Sequence, residues 1–243
     1  MDYETKIRSE VENWKRKITK RSSMVKRITE KAQGKLNQFI PEKAHQLITE
    51  SIKKMIQTTL FGSDFLTKKR DTSALSLEEK EKLIKEKLAV YRKTATVEGA
   101  GTGAGGILLG LADFPLLLSI KMKFLFEAAA IHGYDTSRYE ERLFILNVFQ
   151  LAFSSEEHRK KVLSVIENWE QEKVHLMDVD WRTLQEEYRD HIDFVKILQL
   201  VPGIGAVVGA YANYNLLEQL GETALNAYRI RLLDNSLKKI DTE

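Results

Sequence analysis

Apolar residues recur every three or four positions through most of the 243-residue chain, and that period predicts helices. Ile7, Val11, Trp14, Ile18, Val25, Ile28, Ala32, Leu36 and Phe39 form a first stripe, interrupted near Arg21-Ser22. Pro41 opens a second helix with Ala44, Leu47, Ile48, Ile52, Met55, Ile56 and Leu60 inward and Gly62 as its stop. Residues 63–75 are polar and mixed, the composition of a loop. Ser76-Leu-Glu-Glu79 is a capping box, in which hydroxyl and carboxylate satisfy each other's free backbone N–H. The helix behind it carries Leu83, Ile84, Leu88 and Tyr91.

Residues 95–134 set the architecture. Small residues give way to an apolar run, which breaks at Ala112-Asp113-Phe114-Pro115, resumes, and closes at Gly133. Gly99, Gly103, Gly106 and Gly110, with Gly101 and Gly105, recur at helical spacing and clear one face of side chains, so another helix can approach closely. Asp113 is placed to cap a new helix and Pro115 suits its first turn, where a missing N–H costs nothing. The segment reads as an apolar helical hairpin. Residues 99–120 are long enough to span a bilayer, but Asp113 and Pro115 fall inside, so a hairpin dipping into one leaflet or buried in a bundle fits better.

Beyond it, residues 139–153 are apolar nearly all round from Leu143, as in a helix at the centre of a bundle. Ser154-Ser-Glu-Glu157 reads as a second capping box, ahead of a stripe of Val162, Leu163, Ile166 and Trp169. Asp180 caps a helix carrying Trp181, Leu184, Tyr188, Ile192, Val195 and Leu198. A second break at Pro202-Gly203 precedes small residues four apart (Gly205 and Gly209, Ala206 and Ala210), then a final helix with Leu216, Leu217, Leu220, Leu225, Tyr228, Leu232 and Leu233. No segment alternates with period two between turn residues, so no sheet is expected. The expectation is an all-α fold: a basic amphipathic arm over residues 1–40 and one helical domain over 41–243, built around apolar glycine-rich hairpins.

Charge changes the picture at one end only. The net charge is +3, yet residues 1–40 hold 11 of the 38 basic and five of the 35 acidic residues. Trp14 with Lys15, Arg16, Lys17, Lys20 and Arg21 would suit an anionic membrane surface, the ring in the interface and the cations on headgroups. The more ordinary reading, and the one a common basic helix face favours, is that the helix packs its stripe on the domain and leaves its charges in water. Base-stacking aromatics and nucleic-acid motifs are missing, so no nucleic acid is expected. The charged start lacks the apolar core of a signal peptide, and cysteine is absent, which points to a cytoplasmic protein.

Reaction chemistry is hard to find. Gly101-Thr-Gly103-Ala-Gly-Gly106 matches G-x-G-x-x-G, but a helix-forming segment precedes it where a dinucleotide fold needs a strand, and no Lys-Ser or Lys-Thr follows. Neither NAD nor ATP is expected. His45, His132, His158, His175 and His191 make no H-x-x-x-H pair, and no cysteine could complete a zinc site, so they read as surface or capping residues. No catalytic residue, cofactor or metal ligand stands out.

The run Gly106-Ile-Leu-Leu-Gly110-Leu-Ala-Asp113-Phe-Pro115, the helix ending His132-Gly133-Tyr134-Asp135, and the later Val201-Pro-Gly203-Ile-Gly205 and Ala227-Tyr228-Arg229-Ile-Arg231 together resemble the EcsC family over roughly residues 80–235. The resemblance implies a bacterial protein often encoded beside the ATPase and membrane subunits of an Ecs-type ABC transporter. Such systems are associated with protein secretion and membrane-embedded proteolysis. It implies no reaction. The expected role is a non-enzymatic accessory protein at the inner membrane face or on a membrane partner, oligomeric state open. Gly101, Gly103, Gly106, Gly110, Asp113 and Pro115 would form its docking or inserting hairpin. Two alternatives are a helical bundle enclosing a lipid-like ligand and an enzyme of unassigned type.

Overall fold

The computed structural model describes residues 3–20, 42–67, 71–102, 114–154, 156–178 and 206–240. The described residues form eight helices and no strand: α1 (Tyr3–Lys20), α2 (Glu42–Phe61), α3 (Leu77–Thr102), α4 (Phe114–His132), α5 (Tyr139–Phe153), α6 (Glu156–Glu167), α7 (Trp169–Asp178) and α8 (Ala206–Ile240). The fold is all-α.

Local chemistry sets the helix ends. Ser76 and Glu79 form the capping box at the start of α3: the Ser76 N–H donates to Glu79 Oε2 (2.8 Å) and the Glu79 N–H to Ser76 Oγ (3.3 Å). Gly133 ends α4 in a Schellman turn, its φ of +96° open to glycine without strain. There the Tyr134 N–H reaches the Ala129 carbonyl and the Gly133 N–H that of Ala130, both at 3.1 Å. The second box does not form as expected. Ser154 instead closes α5, its N–H donating to the Gln150 carbonyl (2.9 Å). Ser155 lies outside the described residues.

Two carbonyl-rich helix ends are held from a distance. Arg142 of α5 donates through Nη1 to the carbonyls of Leu60 and Gly62 (both 2.9 Å) at the end of α2, and through Nε to that of Thr136 (3.1 Å). Arg159 of α6 donates to the Ile18 carbonyl in the last turn of α1 (3.1 Å) and to Ser154 (2.8 Å). Near a helix's end the last carbonyls lack intrahelical donors, and a guanidinium can satisfy them.

α5 is the central rod, buried from Glu141 to Phe153 and touched by α2, α4, α6, α7 and α8. The most extensive helix pair is α3 with α8. Their register is antiparallel: Glu81 meets Arg229, Leu88 meets Gly221 and Arg92 meets Glu218. A Cβ on Gly221 would lie 2.3 Å from Leu88 Cδ2, so close helix approach through a glycine does occur, at a position the spacing of glycines in the sequence does not single out. α3 and α4 also run antiparallel, Tyr91 packing on Phe124 (5.9 Å) and Lys87 pairing with Glu127 (3.5 Å). α4 is the second arm of the expected hairpin, and α3 includes only the beginning of the glycine-rich first arm. The rest of that arm and its bend, residues 103–113 with Gly103, Gly106, Gly110 and Asp113, lie outside the described residues.

Of the two readings of the amino-terminal helix, the packed stripe is the one observed. Ile7, Val11, Trp14 and Ile18 belong to the common core, and α1 packs on α8 and α6. Burying four large side chains, each stabilising by about 1.5–3 kcal/mol, ties this helix to the body. The expected boundary at residue 40 and the helix over 181–198 fall outside the described residues. Leu47, expected inward, is exposed.

Candidate functional site

The Tyr228-Arg229-Ile-Arg231 segment of α8 gathers buried charge. Arg229 grips Glu81 of α3, Nε to Oε1 at 2.6 Å, and reaches Glu10 of α1 through Nη1 at 2.9 Å. Tyr3 donates its hydroxyl to the same Glu81 (3.0 Å), and burial together with that carboxylate pushes its phenol up to about 12. A quarter turn away, Glu141 of α5 accepts from Tyr228 (2.7 Å) and Arg231 (2.5 Å). Burial pushes Glu141 upward against the pull of Arg231. The Arg231 guanidinium lies 4.0 Å from the Tyr134 ring centroid and 4.6 Å from that of Phe144, boxed by aromatic faces.

His132 stacks on Tyr228, centroids 4.8 Å apart. Expected at the surface, it is 5% exposed, and neither ring nitrogen has a hydrogen-bond partner. Desolvation, then Lys80 and Arg229, lowers its pKa to about 3, so the ring is neutral. Glu81 and Glu141 are each paired with a buried arginine, and of the acids in this cluster Glu10 is exposed. The arrangement locks α1, α3, α5 and α8 together. Among the described residues no group of three or more His, Asp or Glu is placed to hold a metal ion. Lys121 on α4 is 1% exposed, and burial lowers its pKa to about 8.

Among the described residues a cleft of about 650 Å³ opens between α2 and α4, and another of about 640 Å³ lies among α1, α3 and α8. Met55, Phe65, Tyr91, Leu118 and Ile120 give the first apolar walls. Phe65 packs on Phe126 (5.7 Å), which fixes α2 and its following turn beside α4. Leu47 (37% exposed) and Leu116 (44%) stand at its edge, and Lys54 and Lys123 project from α2 and α4. A volume in the range of about 300–1,000 Å³ is that of small-molecule pockets.

Few of the residues singled out from sequence meet here. Pro115, exposed in the first turn of α4, lines the cleft. Gly101 lies in the last turn of α3. Trp14 is 5% exposed in the core and is therefore withdrawn from headgroup contact, because its ring completes the stripe that anchors α1. Lys15 pairs with Glu12 and Glu167, both at 2.9 Å, while Arg16, Lys17 and Lys20 are exposed and Arg21 lies outside the described residues. Lys54, Lys123 and Tyr91 carried no sequence signal of a site; exposed lysines flanking an apolar stripe are too common to mark one. Among the described residues no helix is long and apolar enough to cross a membrane.

The model of the EcsC protein family matches residues 5–233. Protein EcsC of Bacillus subtilis (strain 168) is 54% identical over 227 residues, covering 93% of this chain and 95% of the relative. Uncharacterized protein YdbA of the same organism is 28% identical over 229 residues, covering 85% and 83% respectively. No solved structure matches the chain.

Proposed function

The chain belongs to the EcsC protein family, and from that premise we propose that it is a non-enzymatic accessory protein working at the cytoplasmic face of the membrane, on lipid or on a membrane partner such as the subunits of an Ecs-type ABC transporter. The observation that carries this reading is the α2–α4 cleft, apolar within, rimmed by exposed Leu47 and Leu116, and open at the start of the hairpin's second arm. Exposed apolar edges around a concave site are the usual mark of an interaction surface. The buried ion pairs of Glu81 with Arg229 and Glu141 with Arg231 support a scaffold, since each joins two helices and none lines the cleft.

The exposed cations of α1 would add a salt-sensitive attraction to an anionic surface, each worth at most about 1 kcal/mol. The cleft would add a salt-resistant one. Fractionation of the untagged protein, with salt and carbonate washes beside a pull-down of membrane proteins, tests the reading. The expected result is a membrane-associated pool, partly released by salt. A protein found wholly in the soluble fraction, bound to no membrane protein and to no vesicle of any composition, would refute it.

A further inference from the structure

We propose that one end of the helical body rests on an anionic lipid bilayer: the end at which α1, α3 and α5 finish and α2, α4, α6 and α8 begin. Leu47 and Leu116 enter the interface there, and Arg16, Lys17 and Lys20 lie at the headgroups. This rests on the membrane-face reading and deepens it, committing to lipid and to one end of the molecule.

Contacts between helices fix which ends lie together. Towards the end of α3, Arg92 meets Glu218 and the Tyr214 ring near the start of α8, while Glu81 at the other end meets Arg229. α4 runs against α3 and so starts where α3 finishes. Gln219 of α8 donates to the Ala152 carbonyl in the last turn of α5, and Tyr228 to Glu141 in its first. α2 finishes beside the start of α5, where Phe61 stacks on Tyr139 (5.9 Å) and Arg142 takes its carbonyls, so its own start lies at the other end, with that of α4. Arg159 early in α6 holds Ile18, and Lys15 pairs with Glu167, so α1 finishes where α6 starts. Exposed Leu47, Pro115 and Leu116 therefore share this end with exposed Arg16, Lys17 and Lys20.

The two ends differ in charge. Over the terminal six residues of each of α1 to α6, the proposed end holds eight Lys or Arg and four Glu, the opposite end five and eight. The connections differ as well. Residues 21–41 and 103–113 lie outside the described residues, and each stretch leaves and rejoins the helices at the proposed end. In sequence the first carries five basic residues against Glu30, and the second has Asp113 as its one charge among glycines and leucines. At the opposite end the connections 62–76 and 133–138 are polar and mixed. Phe61 and Leu66 are exposed there, on an end whose excess of carboxylates an anionic surface repels. Cations and apolar side chains gathered at one end suit an anionic bilayer, the first at the headgroups and the second below them.

The chain has no cysteine, so a single introduced thiol carries a fluorophore to one chosen position. Leu47→Cys, Leu116→Cys and, at the opposite end, Leu66→Cys are each labelled with nitrobenzoxadiazole and mixed with vesicles of phosphatidylcholine and phosphatidylglycerol. Emission should rise at least twofold at positions 47 and 116 and stay unchanged at 66. In the unlabelled full chain, Arg16→Glu with Lys17→Glu and Lys20→Glu should weaken flotation with these vesicles at least tenfold. The same charge change at Lys6, Arg8 and Lys82 should leave it within threefold at physiological salt, where charges far from the surface are screened. A rise at position 66 as large as that at 116, or equal weakening by the two sets of reversals, would overturn the assignment. Should a labelled variant not fold, the charge reversals decide. Intact protein that floats with no vesicle but is recovered with a membrane protein refutes the lipid contact and leaves the membrane-face role; absence of both refutes the two together.

Discussion

Replacing Gly221 by Ala sets two effects against each other. In the middle of a helix alanine is favoured over glycine by roughly 0.5–1 kcal/mol, so at an open position the variant would be more stable. At Gly221 the new methyl would stand 2.3 Å from Leu88 Cδ2, 2.9 Å from Cδ1 and 3.1 Å from Cγ. Turning the tip of Leu88 does not relieve a contact that includes its branch point, and Leu88 is itself buried. The α3–α8 pair must open or Leu88 must leave its rotamer, at the roughly 1–3 kcal/mol typical of overpacking. The clash wins, with a net loss of about 0.5–2 kcal/mol. Urea unfolding monitored at 222 nm reads this as a lower midpoint at unchanged slope. Leu88→Ala alone should cost about 2–5 kcal/mol, and the double variant should cost about 1–2 kcal/mol less than the sum, because the methyl then fills the space vacated. A stabilised Gly221→Ala, or a double variant additive within about 0.3 kcal/mol, would mean that the helices do not touch there.

Glu81→Leu should destabilise by about 3–5 kcal/mol, leaving a buried Arg229 with half-exposed Glu10 alone; adding Arg229→Met should restore much of the loss, and a double variant worse than the single would disprove the pairing. His132 has a folded pKa of about 3, well below the roughly 6.5 of an unfolded chain. Its contribution is complete above about pH 6.5 and is lost as pH falls towards 3, since only the unfolded state takes up the proton in that window. His132→Phe should flatten that part of the stability–pH curve relative to wild type, and an unchanged slope would place the ring in water. Charge reversal at Arg16, Lys17 and Lys20 should weaken binding to anionic vesicles at low salt and leave a salt-resistant remainder; equal binding before and after would remove α1 from the membrane surface. Isothermal titration should show no saturable uptake of NAD or ATP, and micromolar binding of either would reinstate the glycine-rich run as a nucleotide loop.

The helices were legible because burial writes its period into the chain: the run after Leu143 has no polar face and lies at the centre, and Gly133 ends its helix at a positive φ. Trp14 was misread for the same reason it was noticed. A tryptophan among lysines satisfies both an interface and a core, and the choice depends on whether α8 and α6 are there to cover it. His132 was read as a surface or capping residue, and Glu141 was not singled out, because their environments are assembled from α4, α5 and α8, residues 87 or more apart in the case of Glu141 and its partners. The cleft was half legible. Its apolar stripe on α2 is periodic, but α2 and α4 become its two walls only once Phe65 has found Phe126. Ser154 shows that a motif can be right in composition and still be claimed by the preceding helix.

Arg142 and Arg159 give the chain a direction in time. The carbonyl ends of α1 and α2 are sealed by guanidinium groups that lie 141 and 82 residues further along. A chain leaving the ribosome exposes the apolar faces of both helices long before either guanidinium contact can form. Nucleation of the stable body thus waits for α5, and for α1 until α6 has emerged. Nascent chains arrested before residue 142 should remain protease-sensitive throughout, with protection of α1 and α2 arriving in two steps as the arginines clear the exit tunnel.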